Sequence, residues 1–344
     1  MKLSIVQVAF PFAPVRSDCA GGAEQILLTI DENLIRAGHS STVLATKNSR
    51  VSGCLVPIPE ITDIITELEK EIVYNEVKNS LQQFILHNKV DCIHFHGIDF
   101  YKYLPDTEVP CLITLHLPIQ WYPSHCLYRD KPNYFFNFVS DAQRKSAPQC
   151  FQNYPVIENG VRISEYVKAV FKSNYLLCIG RICPEKGFDI GLRVAKKSNK
   201  PLYIAGHVFP YQSHIQYFKE EIFPELDGVN YKFIGRLDTN LKMEMMAKAR
   251  CVLIPSRVDE TSSLVAMESL FCGTPVVAFN RGALSSIIDH EKTGFICNTE
   301  EEMIEAITKI NFIDTDLCIQ MAKNRFSYEK MIWKYFKFYE SIHK

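Results

Sequence analysis

No apolar run of about 18 residues occurs in this chain of 344 residues, so no stretch of it reads as a membrane-spanning helix. Charge of neither sign is in surplus. The 38 basic and 39 acidic side chains leave a net charge of −1, which removes the broad cationic footprint that a nucleic-acid binder needs. The 12 cysteines include no C-x-x-C pair, so a zinc ribbon and a dithiol redox motif are excluded. With no signal peptide recognised, these unpatterned cysteines are expected to be reduced thiols in a cytosolic protein. Low-complexity tracts and repeats of about 20–50 residues are missing too, which sets aside solenoids and propellers. No G-x-G-x-x-G follows the first apolar strand, and that argues against a dehydrogenase built on two dinucleotide-binding halves.

What is present is ordinary globular material, 47% hydrophobic and 22% charged. The length suits two domains better than one core. Residues 3–8 read as a strand, and a loop closing on Gly21-Gly22 leads to a helix that ends near Gly38. Residues 41–45 form the next strand, which completes a βαβ unit. A charged helix is expected over 63–87, strands over 91–97, 110–115 and 134–139, a loop over 117–131, and a short strand and turn over 156–161. The domain link is placed between 165 and 173, where no sheet pattern is visible. A second series of strands follows at 175–180, 201–206, 231–235, 251–255 and 275–278. Helices at 188–198, 215–226, 241–249 and 264–271 lie between them. Such alternation predicts parallel sheets covered by helices on both faces. The aromatic-rich stretch 327–340 predicts a helix too apolar to stay exposed, which must pack on a domain surface.

The most informative stretch runs from Ser256 to Ala278. Thr261-Ser262-Ser263 precedes an apolar helix that stops at Gly273; hydroxyl residues favour helix starts and glycine favours their ends. Glu260 is therefore expected in a loop at the carboxyl end of a strand, and Glu268 one to two turns down the helix. A helix start offers unpaired N–H groups and a partial positive charge, where a diphosphate sits well. Glu260 would then reach hydroxyls at one end of such a ligand and Glu268 those of a ribose at the other. The bland alternative is two solvated carboxylates. The same half also carries Gly180-Arg181-Ile-Cys-Pro-Glu-Lys186-Gly187, another strand-to-helix loop. There a guanidinium fork and an ammonium point charge can clamp a diphosphate. A glycoside hydrolase could also use two carboxylates, but it needs neither the cationic clamp nor the helix start.

In the first half, Gly21-Gly22 lets a ligand approach the backbone at a helix start, or simply makes a turn. Glu24 fits as an acid in the first helical turn. His94 and His96, two apart on a strand, share a face, and His116 ends a neighbouring strand. No carboxylate or cysteine with metal-ligand spacing joins them. His94 and His96 read as hydrogen-bonded structural residues, and His116, before a long aromatic loop, as functional.

These segments together resemble the family 4 glycosyltransferases over nearly the whole chain. The resemblance rests on Gly21–Glu24, Ile93–His96, Thr114–His116, Val139–Gln143, Asn159–Val161, Gly180-Arg181 with Pro184–Gly187, and Glu260 through Glu268 with Gly273–Val277. It implies an α/β protein of the GT-B fold: two Rossmann-like doubly wound parallel-sheet domains facing a cleft. Residues 1–165 would be the acceptor-side domain, with a helix over 326–344 that includes Trp333 crossing back onto it. Residues 166–325 would bind the nucleotide sugar. The implied activity is that of a retaining, hexosyltransferase-type enzyme without metal or other cofactor. It would move a sugar from a nucleotide-diphosphate sugar, UDP by family frequency, to a sugar, lipid or small-molecule acceptor. Arg181 and Lys186 would hold the diphosphate, Glu260 the sugar hydroxyls and Glu268 the ribose. The backbone at Ser263, Leu264 and Val265 would meet the phosphates, Gly22 would lie near the phosphates or the acceptor, and His116 beside the transferred sugar. No nucleic-acid partner is implied; a peripheral contact at the inner membrane face is compatible with it. The rival readings are a GT-B sugar-nucleotide epimerase and an inactive nucleotide-sugar-binding protein. One departure is chemical: many members carry Phe-Gly where this chain has Ser262-Ser263.

Overall fold

The computed structural model describes residues 2–19, 21–60, 65–128, 131–162 and 171–342. Close contacts divide the chain into two units, Met1–Asn159 with Tyr328–Lys344, and Gly160–Ser327. The boundary expected between 165 and 166 lies outside the described residues. Of the expected link, Lys172 is already docked in the second unit, where its ammonium donates to Ala247 O at 2.7 Å and burial lowers its pKa to about 8.

The first unit is built on a parallel sheet of β1 (Ser4–Val8), β2 (Ser40–Thr46), β3 (Cys54–Ile58), β4 (Cys92–Phe95), β5 (Cys111–Leu115) and β6 (Tyr134–Phe138), in the order β3-β2-β1-β4-β5-β6. The second contains β7 (Leu176–Arg181), β8 (Leu202–His207), β9 (Tyr231–Gly235), β10 (Cys251–Ile254), β11 (Val276–Phe279) and β12 (Gly294–Cys297), in the order β12-β11-β10-β7-β8-β9. Both are the doubly wound sheets that the alternating pattern predicts. Inner strands such as β5 and β10 are wholly buried, which is why they read as continuous apolar runs. In each sheet the strand order reverses between the first and fourth strands. Ligands of open α/β sheets bind outside the carboxyl ends of strands at such a reversal.

Two strands escape the sequence reading, β3 and β12, and both are outermost in their sheets. β3 is half exposed and contains Pro57, which an edge strand tolerates because one side of it needs no donor. β12 is only four residues long. The helix expected over 215–226 is interrupted: Gln212–Tyr217 is helical, Phe218–Ile222 widens into a π turn, and Phe223–Glu225 tightens around Pro224. The charged helix spans Glu67–His87, opened by a capping box between Thr66 and Glu69; Asp63 lies outside the described residues. Within 117–131, Ile119–Trp121 and Ser124–Leu127 form short 3-10 turns rather than plain loop. The stretch 156–161 makes isolated bridges and no strand.

The last helix, Tyr328–Ile342, packs on the first unit. Its anchors are Tyr335 and Tyr339, 0% and 1% exposed, with hydroxyls 3.3 Å from Thr114 Oγ1 and 2.7 Å from His94 Nδ1. Trp333 is 61% exposed and is not one of them. The twelve cysteines form no disulfide, and no helix among the described residues is long and apolar enough to cross a membrane.

Candidate functional site

In the second unit the strand reversal falls between β7 and β10. Arg181 ends β7, the loops that leave these two strands carry Lys186 and Glu260, and the helix Leu264–Phe271 carries Glu268. The β7 loop is pinned by Arg257. Its backbone N–H donates to Glu185 O at 2.8 Å and its guanidinium to Pro184 O at 2.7 Å. The same guanidinium pairs with Asp189 at 2.5 Å. Burial resists charge on Asp189, but hydrogen bonds from Arg257, Tyr217 and Arg193 prevail and hold its pKa down at about 2.

Gly187 then turns the chain with φ +66°; a Cβ built there would stand 2.1 Å from Pro255 O. Lys186 is thereby delivered to Glu260, Nζ to Oε1 at 2.6 Å, and the buried Ser256 hydroxyl donates to the same oxygen. Gly187→Ala has to break this approach and also hold a left-handed residue. It is expected to destabilise the second unit by about 2 kcal/mol or more, a drop of roughly 4–8 °C in its melting midpoint. Thermal denaturation followed by circular dichroism measures this; a wild-type midpoint would mean that the loop relaxes freely.

The backbone of Glu260 is clasped as well. Ala283 N–H donates to its carbonyl at 2.7 Å, and Gly282, at φ +56°, fits where a Cβ would lie 2.3 Å from that oxygen. Three residues on, Ser263 caps the helix, its hydroxyl accepting from Ala266 N–H at 3.3 Å. Its φ of −133° is open to any residue, so Ser263 needs none of glycine's freedom and contributes a cap that glycine lacks. The N–H groups of Leu264 and Val265 stand in the first helical turn, where helices leave donors unpaired. Glu268 is 8% exposed and pairs with Lys242 Nζ at 2.7 Å.

Thus both acids sit beside lysines: Glu260 beside Lys186, which the sequence reading had placed at the diphosphate, and Glu268 beside Lys242, which it missed. Nothing in local spacing could reveal Lys242, because the pair spans 26 residues of chain. Arg181 differs from both lysines, since no ion pair to it exists among the described residues. Beside it, Cys183, Glu185 and His214 bring ligand atoms within 4.8 Å of one another, the spacing of a metal site. Burial and then the Arg181 charge depress the His214 pKa, and that same charge opposes a cation there.

The remaining two predicted residues, Gly22 and His116, belong to the first unit. Gly22 opens the helix Gly22–Arg36. The tight position is its neighbour Gly21, where a Cβ would meet the buried Glu24 carboxylate at 1.7 Å. His116 follows β5 and is bracketed by Gln143. The Gln143 amide donates to Leu115 O at 2.7 Å and Leu117 O at 2.9 Å, and accepts from Val139 N–H at 2.9 Å. His96 Nδ1 lies 3.0 Å from His116 Nε2, and the His94 ring centroid is 4.0 Å from that of His96 with the planes tilted by 40°.

Burial depresses the pKa of all three rings, His116 to about 3 and the other two well below the usual value. In the unfolded chain these rings take up protons as pH falls through about 6.5, whereas the folded rings resist until far lower pH. The stability they contribute is therefore complete above about pH 6.5 and is lost as pH falls toward 3. Each ring is expected to cost about 1.4 kcal/mol per pH unit within that window. Urea titrations of the first unit's unfolding at pH 7, 6 and 5 should show falling midpoints; constant midpoints would mean that the rings are charged in the fold.

Comparisons with known proteins bear on this geometry. Residues 164–325 match the family model "Glycosyl transferases group 1". A D-inositol 3-phosphate glycosyltransferase of Jonesia denitrificans is 28% identical over 133 residues, 36% of this chain and 31% of that protein. An uncharacterized glycosyltransferase of Methanocaldococcus jannaschii is 32% identical over 125 residues, 35% of this chain and 30% of that protein. The matched stretches cover between 30% and 53% of the length of the curated relatives. Among solved structures, a sucrose-phosphate synthase from Thermosynechococcus elongatus superposes with a TM-score of 0.83 at 14% identity, covering 98% of this chain and 99% of that one. The Anabaena protein HepE, in complex with UDP and glucose, superposes with a TM-score of 0.74 at 16% identity, covering 98% and 100%. The second unit thus resembles the glycosyltransferases of group 1, and the chain has the GT-B fold, two Rossmann-like units each built on a parallel sheet.

Proposed function

We propose that this protein is a retaining, metal-independent glycosyltransferase of family 4 that takes a hexose from a nucleotide-diphosphate sugar, UDP by preference. The observation that carries the reading is Arg181. It is a guanidinium without an ion pair among the described residues, at the carboxyl end of β7, which at the strand reversal of the second sheet neighbours β10, the strand that leads to the Leu264–Phe271 helix. Such a place suits an anion, and UDP in HepE supports a nucleotide.

In this reading the diphosphate lies against Arg181 and the N–H groups of Ser263, Leu264 and Val265. Lys186 shares its charge between Glu260 and the phosphate, while Glu260 accepts from sugar hydroxyls and Glu268 from the ribose. As the bond from the anomeric carbon to the phosphate oxygen breaks, its electron pair goes to the diphosphate, where the cations offset the developing charge. The acceptor hydroxyl bonds to the anomeric carbon on the same face, and its proton passes to the departing phosphate. Gly22 and His116 keep in this proposal the roles that the resemblance implies for them. Catalysis is then positioning plus charge stabilisation.

A panel of nucleotide sugars tested by thermal shift, then by product analysis with and without EDTA, examines this. A UDP-hexose is expected to raise the melting point and to be hydrolysed slowly or transferred with an α-linked donor giving an α-linked product. EDTA should leave the rate unchanged. Epimerised sugar nucleotide without any transfer or hydrolysis would replace this reading with the epimerase. Binding without any turnover would leave a binding protein, and a rate abolished by EDTA would point to the Cys183, Glu185 and His214 cluster.

A further inference from the structure

The loop that carries Lys186 also holds a group of side chains that the proposed reaction does not use. Cys183 precedes its 3-10 turn, Pro184–Lys186, and Glu185 lies within it; His214 comes from the helix Gln212–Tyr217. A thiol sulfur, a carboxylate oxygen and a ring nitrogen from these three residues lie within 4.8 Å of one another. Ligand atoms around a tetrahedral zinc ion, at bond lengths of about 2.0–2.3 Å, stand roughly 3.5 Å apart, so small side-chain rotations close the set.

The loop and the helix are held together by residues that are not ligands themselves. Tyr217, one turn after His214, donates its hydroxyl to Asp189 Oδ1 at 2.6 Å and accepts from Asp189 N–H at 3.1 Å. Asp189 also pairs with Arg257, which pins the loop at Pro184 O and Glu185 O. Partners of this kind orient the ligands of a metal site before the ion arrives.

The donor atoms are little committed elsewhere. His214 Nδ1 is buried and finds no hydrogen-bond partner among the described residues, an unusual state for a buried ring nitrogen. The Cys183 thiol donates to Arg181 O at 3.5 Å, a weak bond of the kind sulfur makes. Burial raises the pKa of that thiol to about 11 and depresses that of His214, so the metal-free protein holds a neutral thiol beside a neutral imidazole. The charge of Arg181 opposes a cation here. Loss of the thiol proton to solvent offsets it, because thiolate and Glu185 carboxylate then set two negative charges against the two positive charges of the ion.

We infer that Cys183, Glu185 and His214 form a binding site for a borderline-soft divalent cation, zinc being the ion that a sulfur, nitrogen and oxygen set suits best. Three protein ligands leave one position to water. The ion ties the Lys186 loop to the helix Gln212–Tyr217, and no bond made or broken in the proposed reaction involves it.

The test uses the full chain, stripped with a chelator and titrated with cobalt(II), whose bond to a thiolate absorbs strongly in the near ultraviolet. One equivalent per chain is expected to produce that band, and zinc to displace it; a chain that gives no band at neutral pH overturns the inference. Cys183→Ser is expected to abolish the band. His214→Ala is expected to weaken binding about a hundredfold or more, since even the partners that support metal ligands are worth 10–100-fold. Cys54 and Cys150 are exposed and are the competing thiols. The band must survive in a variant that combines Cys54→Ser with Cys150→Ser, and its loss there overturns the inference. If Cys183→Ser does not fold, Glu185→Gln and His214→Ala decide by the same titration, and unchanged affinity in both overturns it. A protein that binds cobalt in this way but turns over no nucleotide sugar would lose the proposed function and keep this site; turnover without metal binding would do the reverse.

Discussion

Arg181→Ala is expected to lower turnover about a hundredfold or more while leaving the unfolding midpoint near that of the wild type. The first effect follows from the departing diphosphate. Removing one preorganised group that meets developing charge costs about 2.7–4 kcal/mol of barrier in the well-measured case of an oxyanion hole. The second follows from the absence of an ion pair to Arg181 among the described residues: its removal strands no carboxylate. Lys186→Ala is expected to lower turnover as much, but with a different signature. It leaves Glu260, 8% exposed, to the Ser256 hydroxyl and solvent, and should also destabilise the fold by about 1–3 kcal/mol. Steady-state rates and urea titrations on both variants separate the two. Unchanged turnover in both would remove the phosphate-clamp role.

Glu268→Ala is expected to weaken the bare nucleoside diphosphate by roughly 10–100-fold, the worth of charge-assisted hydrogen bonds to two ribose hydroxyls. Glu260→Ala should leave that affinity nearly intact and instead weaken the sugar-bearing donor, because the proposed reading gives it the other end of the ligand. Lys242→Ala should fall between wild type and Glu268→Ala, since it frees the Glu268 carboxylate from its 2.7 Å partner without deleting it. Calorimetry with the diphosphate and with the intact donor resolves all three. Equal diphosphate affinity in wild type and Glu268→Ala would sink the ribose assignment.

Much of this was legible in the sequence, for identifiable reasons. The helix Leu264–Phe271 was readable to the residue because its signals are local: Ser263 before it, Gly273 after it, and no glycine or proline between. The central strands were readable because burial on both faces leaves runs such as Cys251–Ile254 with no polar interruption. The edge strands β3 and β12 were not, because an edge needs neither length nor full apolarity. The hydroxyl pair Ser262-Ser263 looked like a departure, and only the backbone angle shows that the position makes no demand for glycine. The pairing of Lys186 with Glu260 and of Lys242 with Glu268 was also invisible. Each joins residues distant in sequence, and opposite charges in separate loops carry no periodic trace. The same is true of the contact between His96 and His116. The sequence placed them on neighbouring strands but could not say which nitrogens meet.

The terminal helix has a consequence for how the gene can be cut. The first unit is not contiguous in sequence: its last element is synthesised after all of the second unit. A stop codon just before Tyr328 would spare every strand, yet it would strip Tyr335 and Tyr339 from the opposite end of the coding sequence's product and leave the His94 imidazole without its phenol partner. Anyone wishing to express that unit alone would have to splice the C-terminal segment onto the N-terminal part, or permute the chain so that the two pieces become neighbours.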